Sequence, residues 1–202
     1  GNSTGALHER SVNEVLSPSA GWDSLLKDFW SGSGEPCNET WSRPNRRYLP
    51  AGIWAPSMEE NGLNWVVIAV DVSGSIMQRE CDAFIAQINL IRYEVPAERI
   101  TLVPFNSIVQ GKHIKEVYNG DPIPNRFRVG GGTRFECVMN WLKRQDQTPD
   151  SLIIFTDLGD CRYGDEPECP VLWATSEPVY HGTGWTNRPP FGDIVEVEVP
   201  NG

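Results

Sequence analysis

The chain has 202 residues, 39% hydrophobic and 22% charged, which suits one ordinary soluble domain with some additional chain. Its 27 acidic against 17 basic residues give a net charge of −10, which disfavours nucleic acid as a partner because that needs a basic footprint. No apolar run approaches the roughly 20 residues that cross a bilayer, so no membrane association is expected, and the polar start Gly1-Asn2-Ser3-Thr4-Gly5 does not read as a secretory leader.

Residues 1–20 are polar and weakly patterned. Residues 22–30 predict a short amphipathic helix, with apolar side chains at 22, 25, 26, 29 and 30. Ser31 to Pro36 is a loop by composition. Residues 37–63 hold three prolines, Trp41, Trp54 and the small basic cluster Arg43, Arg46 and Arg47. They read as an irregular arm whose aromatics anchor it and whose arginines tie it to acidic groups. The expected organisation is thus an N-terminal arm with a helical part, residues 1–63, packed on a main domain, residues 64–202.

From Trp65 onward strand and helix alternate. The run 66–70 predicts a buried strand and residues 76–93 a helix, with Ile76, Met77, Cys81, Phe84, Ile85, Ile88 and Ile91 on one face. Ile100 to Phe105 is a second strand, with Pro104 near its end or turned from the ladder. His113 to Tyr118 reads as a short edge strand. Gly130-Gly131-Gly132 predicts a flexible turn, and Thr133 the N-cap of a helix that sends Phe135, Val138, Met139, Trp141 and Leu142 inward. Strands follow at 152–155, 171–174 and 194–199. The alternation implies an α/β fold, a Rossmann-like doubly wound and mostly parallel sheet with helices on both faces.

Five cysteines, with no CxxC pair, make a structural zinc site unexpected. Cys81 and Cys137 fall on predicted helices as small buried side chains, whereas Cys161 and Cys169 share one loop and could pair. A reducing, cytoplasmic setting fits this usage better. His113 and His181 are expected to face solvent, and Trp173 to lie in the core. From Asp157 onward nine acids stand against two arginines, either a solvated surface or a ring around a cation or basic partner.

Three loops carry the chemistry. Asp71-x-Ser73-x-Ser75 follows one apolar strand, Thr133 follows its glycines, and Asp157 closes another apolar strand. In a doubly wound sheet such loops converge on one edge. Mg²⁺ takes about six oxygens near 2.1 Å and keeps several waters. Ser73 and Ser75 can supply neutral oxygens, Thr133 a third at the rim, and Asp71 and Asp157 the negative charge. So few carboxylates leave the cation electrophilic, ready for an acidic side chain as its last ligand. Mn²⁺ and Ca²⁺ suit the same oxygens. Asp160 either joins this network or is a solvated loop residue.

Asp71-Val-Ser73-Gly-Ser75, Thr133 and Asp157 resemble the metal-ion-dependent adhesion site (MIDAS) of von Willebrand factor type A domains. The resemblance covers residues 64–200 and implies a metal at the top of the sheet. Trp41-Ser42-Arg43-Pro44-Asn45-Arg46-Arg47-Tyr48, Pro56-Ser57, Phe155-Thr156-Asp157-Leu158-Gly159-Asp160, Pro170-Val171-Leu172-Trp173 and Pro189-Pro190-Phe191-Gly192-Asp193 carry it further. They are similar to a bacterial and phage family that pairs a metallopeptidase-like segment with a C-terminal type A-like domain. Its members are often encoded beside MoxR-type AAA+ ATPases, which makes such an ATPase a candidate partner. The chain departs from that family at its front: His8-Glu9 is followed by Arg10, Ser11 and Val12, so no His-Glu-x-x-His is completed among its three histidines.

The expected function is a metal-dependent protein-binding module whose cation is completed by a partner's Asp or Glu. The alternative is a metal-dependent hydrolase or phosphate-binding enzyme using the same site. Against it stand the missing phosphate loop and the missing nucleophile and base pair.

Overall fold

The computed structural model describes residues 21–32, 39–44, 56–58, 63–118, 121–124, 126–127, 129–177, 179, 181–182 and 185–197, with the backbone alone at 22–23, 39–44, 56–58, 181–182 and 185–186. Residues 1–20, Cys37, Arg46, Arg47 and Trp54 lie outside the described residues, as do the side chains of Trp22, Trp41, Arg43 and His181.

In chain order the elements are α1 (Trp22–Gly32), β1 (Glu39–Pro44), β2 (Pro56–Met58), β3 (Leu63–Asp71), α2 (Gln78–Glu94), β4 (Ala97–Phe105), a 3-10 turn (Gly111–His113), β5 (Lys115–Tyr118), α3 (Glu136–Leu142), β6 (Ser151–Thr156), β7 (Val171–Thr175), β8 (His181–Gly182), β9 (Trp185–Thr186) and β10 (Asp193–Glu196). Six of them form one sheet in the order β10–β7–β6–β3–β4–β5, parallel except for β5 at one edge. This is the α/β, Rossmann-like doubly wound and mostly parallel architecture that the alternation of elements implies. Within the arm, β1 and β2 pair antiparallel, so that stretch is not irregular throughout.

The central strand explains the layering. Every residue of Trp65-Val66-Val67-Ile68-Ala69-Val70 is buried, because helices cover both faces of a parallel sheet. Alternate side chains then serve two cores. Val66, Ile68 and Val70 meet Phe84, Ile85, Ile88 and Ile91 of α2, together with Leu26 and Trp30 of α1. Val67 and Ala69 meet Phe135, Val138 and Met139 on the opposite face. Phe84 stacks on Phe155 with centroids 4.7 Å apart, which locks α2 to β6. Trp30 Nε1 donates to the Val95 carbonyl at 3.1 Å, and Lys27 pairs with Glu94, so α1 is fixed to the end of α2. Trp173, fully buried, donates to the Phe191 carbonyl at 2.8 Å and is a core residue.

Three local readings are corrected. Met77 is 54% exposed and precedes α2 instead of joining its buried face. Thr133 is not a helix cap: α3 begins at Glu136 with Phe135 before it, which frees the Thr133 hydroxyl for another partner. The triple glycine is tied down at both ends: Gly130 N–H donates to the Val72 carbonyl at 2.8 Å, and Ser107 Oγ donates to the Gly132 carbonyl at 3.1 Å. Pro104 does lie within β4, but its carbonyl faces the loop and accepts from Gln110 N–H at 2.9 Å, on the side where its missing N–H costs no ladder bond. His113 is exposed. Cys81, Cys137, Cys161 and Cys169 are all free thiols. Cys137 is half-buried, and Cys81 is fully so. Among the described residues, no helix is long and apolar enough to cross a membrane.

Candidate metal centre

The strand order places a switch point beside β3. From β3 the chain passes through α2 to β4 on one side, and it returns after α3 to β6 on the other. The crevice outside the carboxyl ends of β3 and β6 is where open parallel sheets receive ligands. Asp71 ends β3 and Thr156 ends β6, and the pairing of Val70 with Phe155 brings the two level.

Asp71 is 1% exposed, and its carboxylate is fully engaged by protein donors. Oδ1 accepts from Ser73 N–H at 2.9 Å. Oδ2 accepts from Thr156 Oγ1 at 2.9 Å and Thr133 Oγ1 at 3.2 Å. Ser73 Oγ and Ser75 Oγ lie 3.1 Å apart. Burial pushes the Asp71 carboxyl above the usual carboxylate range, against the pull of its Ser73 and Thr156 hydrogen bonds, and the nearby Asp157 charge adds to the rise. Four of the five sequence-derived positions, Asp71, Ser73, Ser75 and Thr133, are thus joined by hydrogen bonds, and Asp157 lies close enough for its charge to act on Asp71.

The loop after β6 is shaped by the backbone. Leu158 has φ 57°, a left-handed conformation uncommon for a branched residue, and is held there by complete burial of its side chain. Its N–H donates to Thr156 Oγ1 at 3.1 Å. The next residue, Gly159, donates its N–H to Asp157 Oδ1 at 3.0 Å. Asp160 accepts from Arg162 Nε at 3.0 Å, so it is not a simple solvated side chain.

Two residues that matter here were not singled out by the sequence. Thr156 bridges Asp71 and the Leu158 backbone. Its signal was available: setting the runs that end in Val70-Asp71 and Phe155-Thr156 side by side brings Thr156 beside the aspartate. Asn106 binds the rim together, with Nδ2 donating to the Gly130 carbonyl at 2.8 Å and Oδ1 accepting from Ile108 N–H at 3.1 Å. Nothing in the pattern around Asn106 marks that role.

The donor set fits a hard divalent cation. Every candidate ligand atom is an oxygen. Two ligands at about 2.1 Å and at right angles lie about 3.0 Å apart, close to the spacing of the two serine oxygens. The Thr133 hydroxyl gives its hydrogen to Asp71, which leaves its oxygen lone pairs available. Among the described residues no group of three or more His, Cys, Asp or Glu is placed to hold a metal. A cation here would therefore be held mainly by neutral hydroxyls, with two carboxylates for charge.

A family model described as VWA-like domain matches residues 66–198, a span containing all five positions. No curated protein matches the chain. Among solved structures, the Ro (RSR) protein of Deinococcus radiodurans is similar at 14% identity and a TM-score of 0.37, over 67% of this chain and 32% of that one. The chain thus spans about a third of that protein's length.

Proposed function

The chain belongs to the VWA-like domain (DUF2201) family, and from that premise we propose that it is a divalent-cation-dependent protein-binding module. Ser73, Ser75 and Thr133 would hold the ion through their hydroxyl oxygens. Asp71 and Asp157 would balance its charge, Asp71 from behind the serines. The bound cation supplies an electrophilic coordination position, which an Asp or Glu of a partner protein fills. The observation that carries the reading is the 3.1 Å pair of serine oxygens set in front of a buried carboxylate that three protein donors already orient. Mg²⁺ is the favoured ion, and Mn²⁺ and Ca²⁺ have the same oxygen chemistry. The partner is proposed to be a bacterial or phage protein of the cytoplasm, with a MoxR-type AAA+ ATPase as the first candidate.

The experiment is capture of partners from the native host by the immobilised chain, in Mg²⁺ and in EDTA, with the chain's thermal stability read alongside. Capture of the ATPase or another protein in Mg²⁺, lost in EDTA and lost with Ser73→Ala, supports the reading. A melting temperature flat across millimolar Mg²⁺, or capture indifferent to EDTA and to Ser73→Ala, overturns it.

A further inference from the structure

Two cavities lie where the parallel strands begin, at the end of the sheet opposite the candidate metal centre. The larger, about 510 Å³, is lined by Trp65 of β3, Arg99 of β4, Glu116 of β5, Trp141 of α3 and Asp146 just beyond it. The smaller, about 340 Å³, is lined by Lys143, Glu166 and Glu168 among others. Gln145 and Gln147 line both, so the short chain between α3 and β6 is their common wall. Both fall in the range of roughly 300–1,000 Å³ in which proteins receive ligand groups.

The larger cavity already holds one guanidinium, which shows what its walls recognise. Arg99 lies over the Trp65 ring, 4.3 Å from its centroid. It donates through Nη2 to Gln147 Oε1 at 3.1 Å, and its Nη1 stands 4.0 Å from Glu116 Oε1. An indole face, an amide oxygen and a carboxylate thus serve it together. The same three kinds of group recur in this cavity. Trp141 is half-buried, Gln145 gives an amide hydrogen to the Trp141 carbonyl at 2.9 Å and so keeps its side-chain oxygen to accept, and Asp146 is exposed.

Charge selects the occupant. The cationic side chains in the two linings are engaged, Arg99 as above and Lys143 in an ion pair with Asp165. Asp146, Glu166 and Glu168 are exposed and make no ion pair among the described residues. With a net charge of −10 on the chain, a cationic group is drawn to these cavities and an anionic one is repelled. A planar guanidinium suits an indole beside carboxylate and amide oxygens better than an ammonium does. We propose that this end of the sheet docks a basic segment of a partner protein, with one arginine entering the larger cavity against Trp141, Gln145 and Asp146 and a second facing Glu166 and Glu168. No residue of the candidate metal centre takes part, so the two readings stand or fall separately.

NMR titration of the full chain with the capped peptide Gly-Arg-Ser-Gly-Arg-Gly tests this, beside the same peptide with lysines in place of both arginines. The arginine peptide should shift the Trp141 indole N–H signal and leave that of Trp30 unmoved, equally in Mg²⁺ and in EDTA. It should bind roughly threefold more tightly than the lysine peptide. Asp146→Asn and Glu168→Gln should each weaken it about threefold, the size expected for an exposed ion pair. Asp28→Asn, which removes an equal charge from exposed α1, should leave affinity unchanged. All three substitutions are at exposed positions, so folding is not at stake. Equal affinity for the two peptides, or an equal loss with Asp28→Asn, would show attraction by overall charge alone and overturn the proposal. Binding that needs Mg²⁺, or that leaves the Trp141 signal in place, overturns it as well.

Discussion

Thr156 gives its hydroxyl hydrogen to Asp71 Oδ2 at 2.9 Å, from the end of the neighbouring parallel strand. The Thr156 hydroxyl oxygen in turn accepts from Leu158 N–H at 3.1 Å, so one buried hydroxyl joins the carboxylate of β3 to the turn that positions Asp157. The two halves of the candidate centre, far apart in sequence, are coupled through this side chain. A buried, oriented but destabilised carboxylate is a poor structural element on its own and a good counter-charge for a cation.

Asp71→Asn and Asp71→Ala should separate charge from structure. The Asn side chain keeps the shape and removes the charge, so the Mg²⁺-induced rise in melting temperature should vanish while metal-free stability changes little. Saturation to a hundred times the dissociation constant adds about 2.7 kcal/mol, which is the size of the effect to be lost. Asp71→Ala should cost about 1–3 kcal/mol without metal, because the buried Ser73 N–H and Thr156 hydroxyl lose their acceptor. Urea unfolding at constant m-value measures both.

Thr156→Val should cost about 1–3 kcal/mol, since it keeps the volume but leaves the Leu158 N–H without its acceptor and Asp71 Oδ2 with the Thr133 hydroxyl as its one remaining donor of the two. Thr156→Ser keeps the hydroxyl and should recover most of the loss. It should also recover Mg²⁺ affinity. Equal losses in the two variants, by urea midpoint and metal titration, would place the effect in packing and not in the hydrogen bonds.

Gly131→Ala should destabilise the rim by about 1–2 kcal/mol. Gly131 has φ 90°, where a side chain is strained, and an added Cβ would stand 2.9 Å from Asn106 Nδ2. Asn106→Ala in the same chain should relieve the contact but not the backbone strain, so the double variant should remain less stable than Asn106→Ala alone.

The fold was legible because its signals are local and strong. Five apolar runs, each closed by polar or turn residues, predicted the parallel strands, and the 3.6-residue spacing of Phe84, Ile85, Ile88 and Ile91 predicted the face of α2. The convergence of Asp71, Ser73 and Thr133 followed from the fold, because carboxyl ends of parallel strands share one edge. What did not follow was which hydrogen bonds each polar group makes. Thr133 fits a cap as well as a carboxylate partner by its sequence, and only the start of α3 at Glu136 decides between them. Gly130 to Gly132 read as loose because composition does not reveal that Asn106 and Ser107 pin them from a different loop.

The cysteines should differ in reactivity in a Cys37→Ser background. Burial pushes the Cys81 thiol up to about 12 and those of Cys137 and Cys169 up to about 11, so all three stay protonated at pH 8. Cys161 is exposed and should react with a thiol reagent in the native protein. The expected outcome at pH 8 is one fast equivalent, with three more released by denaturant. A second fast equivalent would point to opening around the half-buried Cys137, beside the Thr133 loop.

Leu158 should invert the usual order of alanine and glycine. Truncating a buried leucine to alanine costs about 2–5 kcal/mol. Leu158→Ala would bear that loss and keep the left-handed backbone, which costs a non-glycine residue about 1–2 kcal/mol. Leu158→Gly loses one more carbon and adds chain entropy of about 0.5–1 kcal/mol to the unfolded state. It also removes the strain at φ 57°, so the glycine variant should be as stable as the alanine variant or more so. Both should stay below the parent chain, because lost burial outweighs relieved strain. Matched urea midpoints test the order: an alanine variant clearly more stable than the glycine variant would show that this turn carries no left-handed strain.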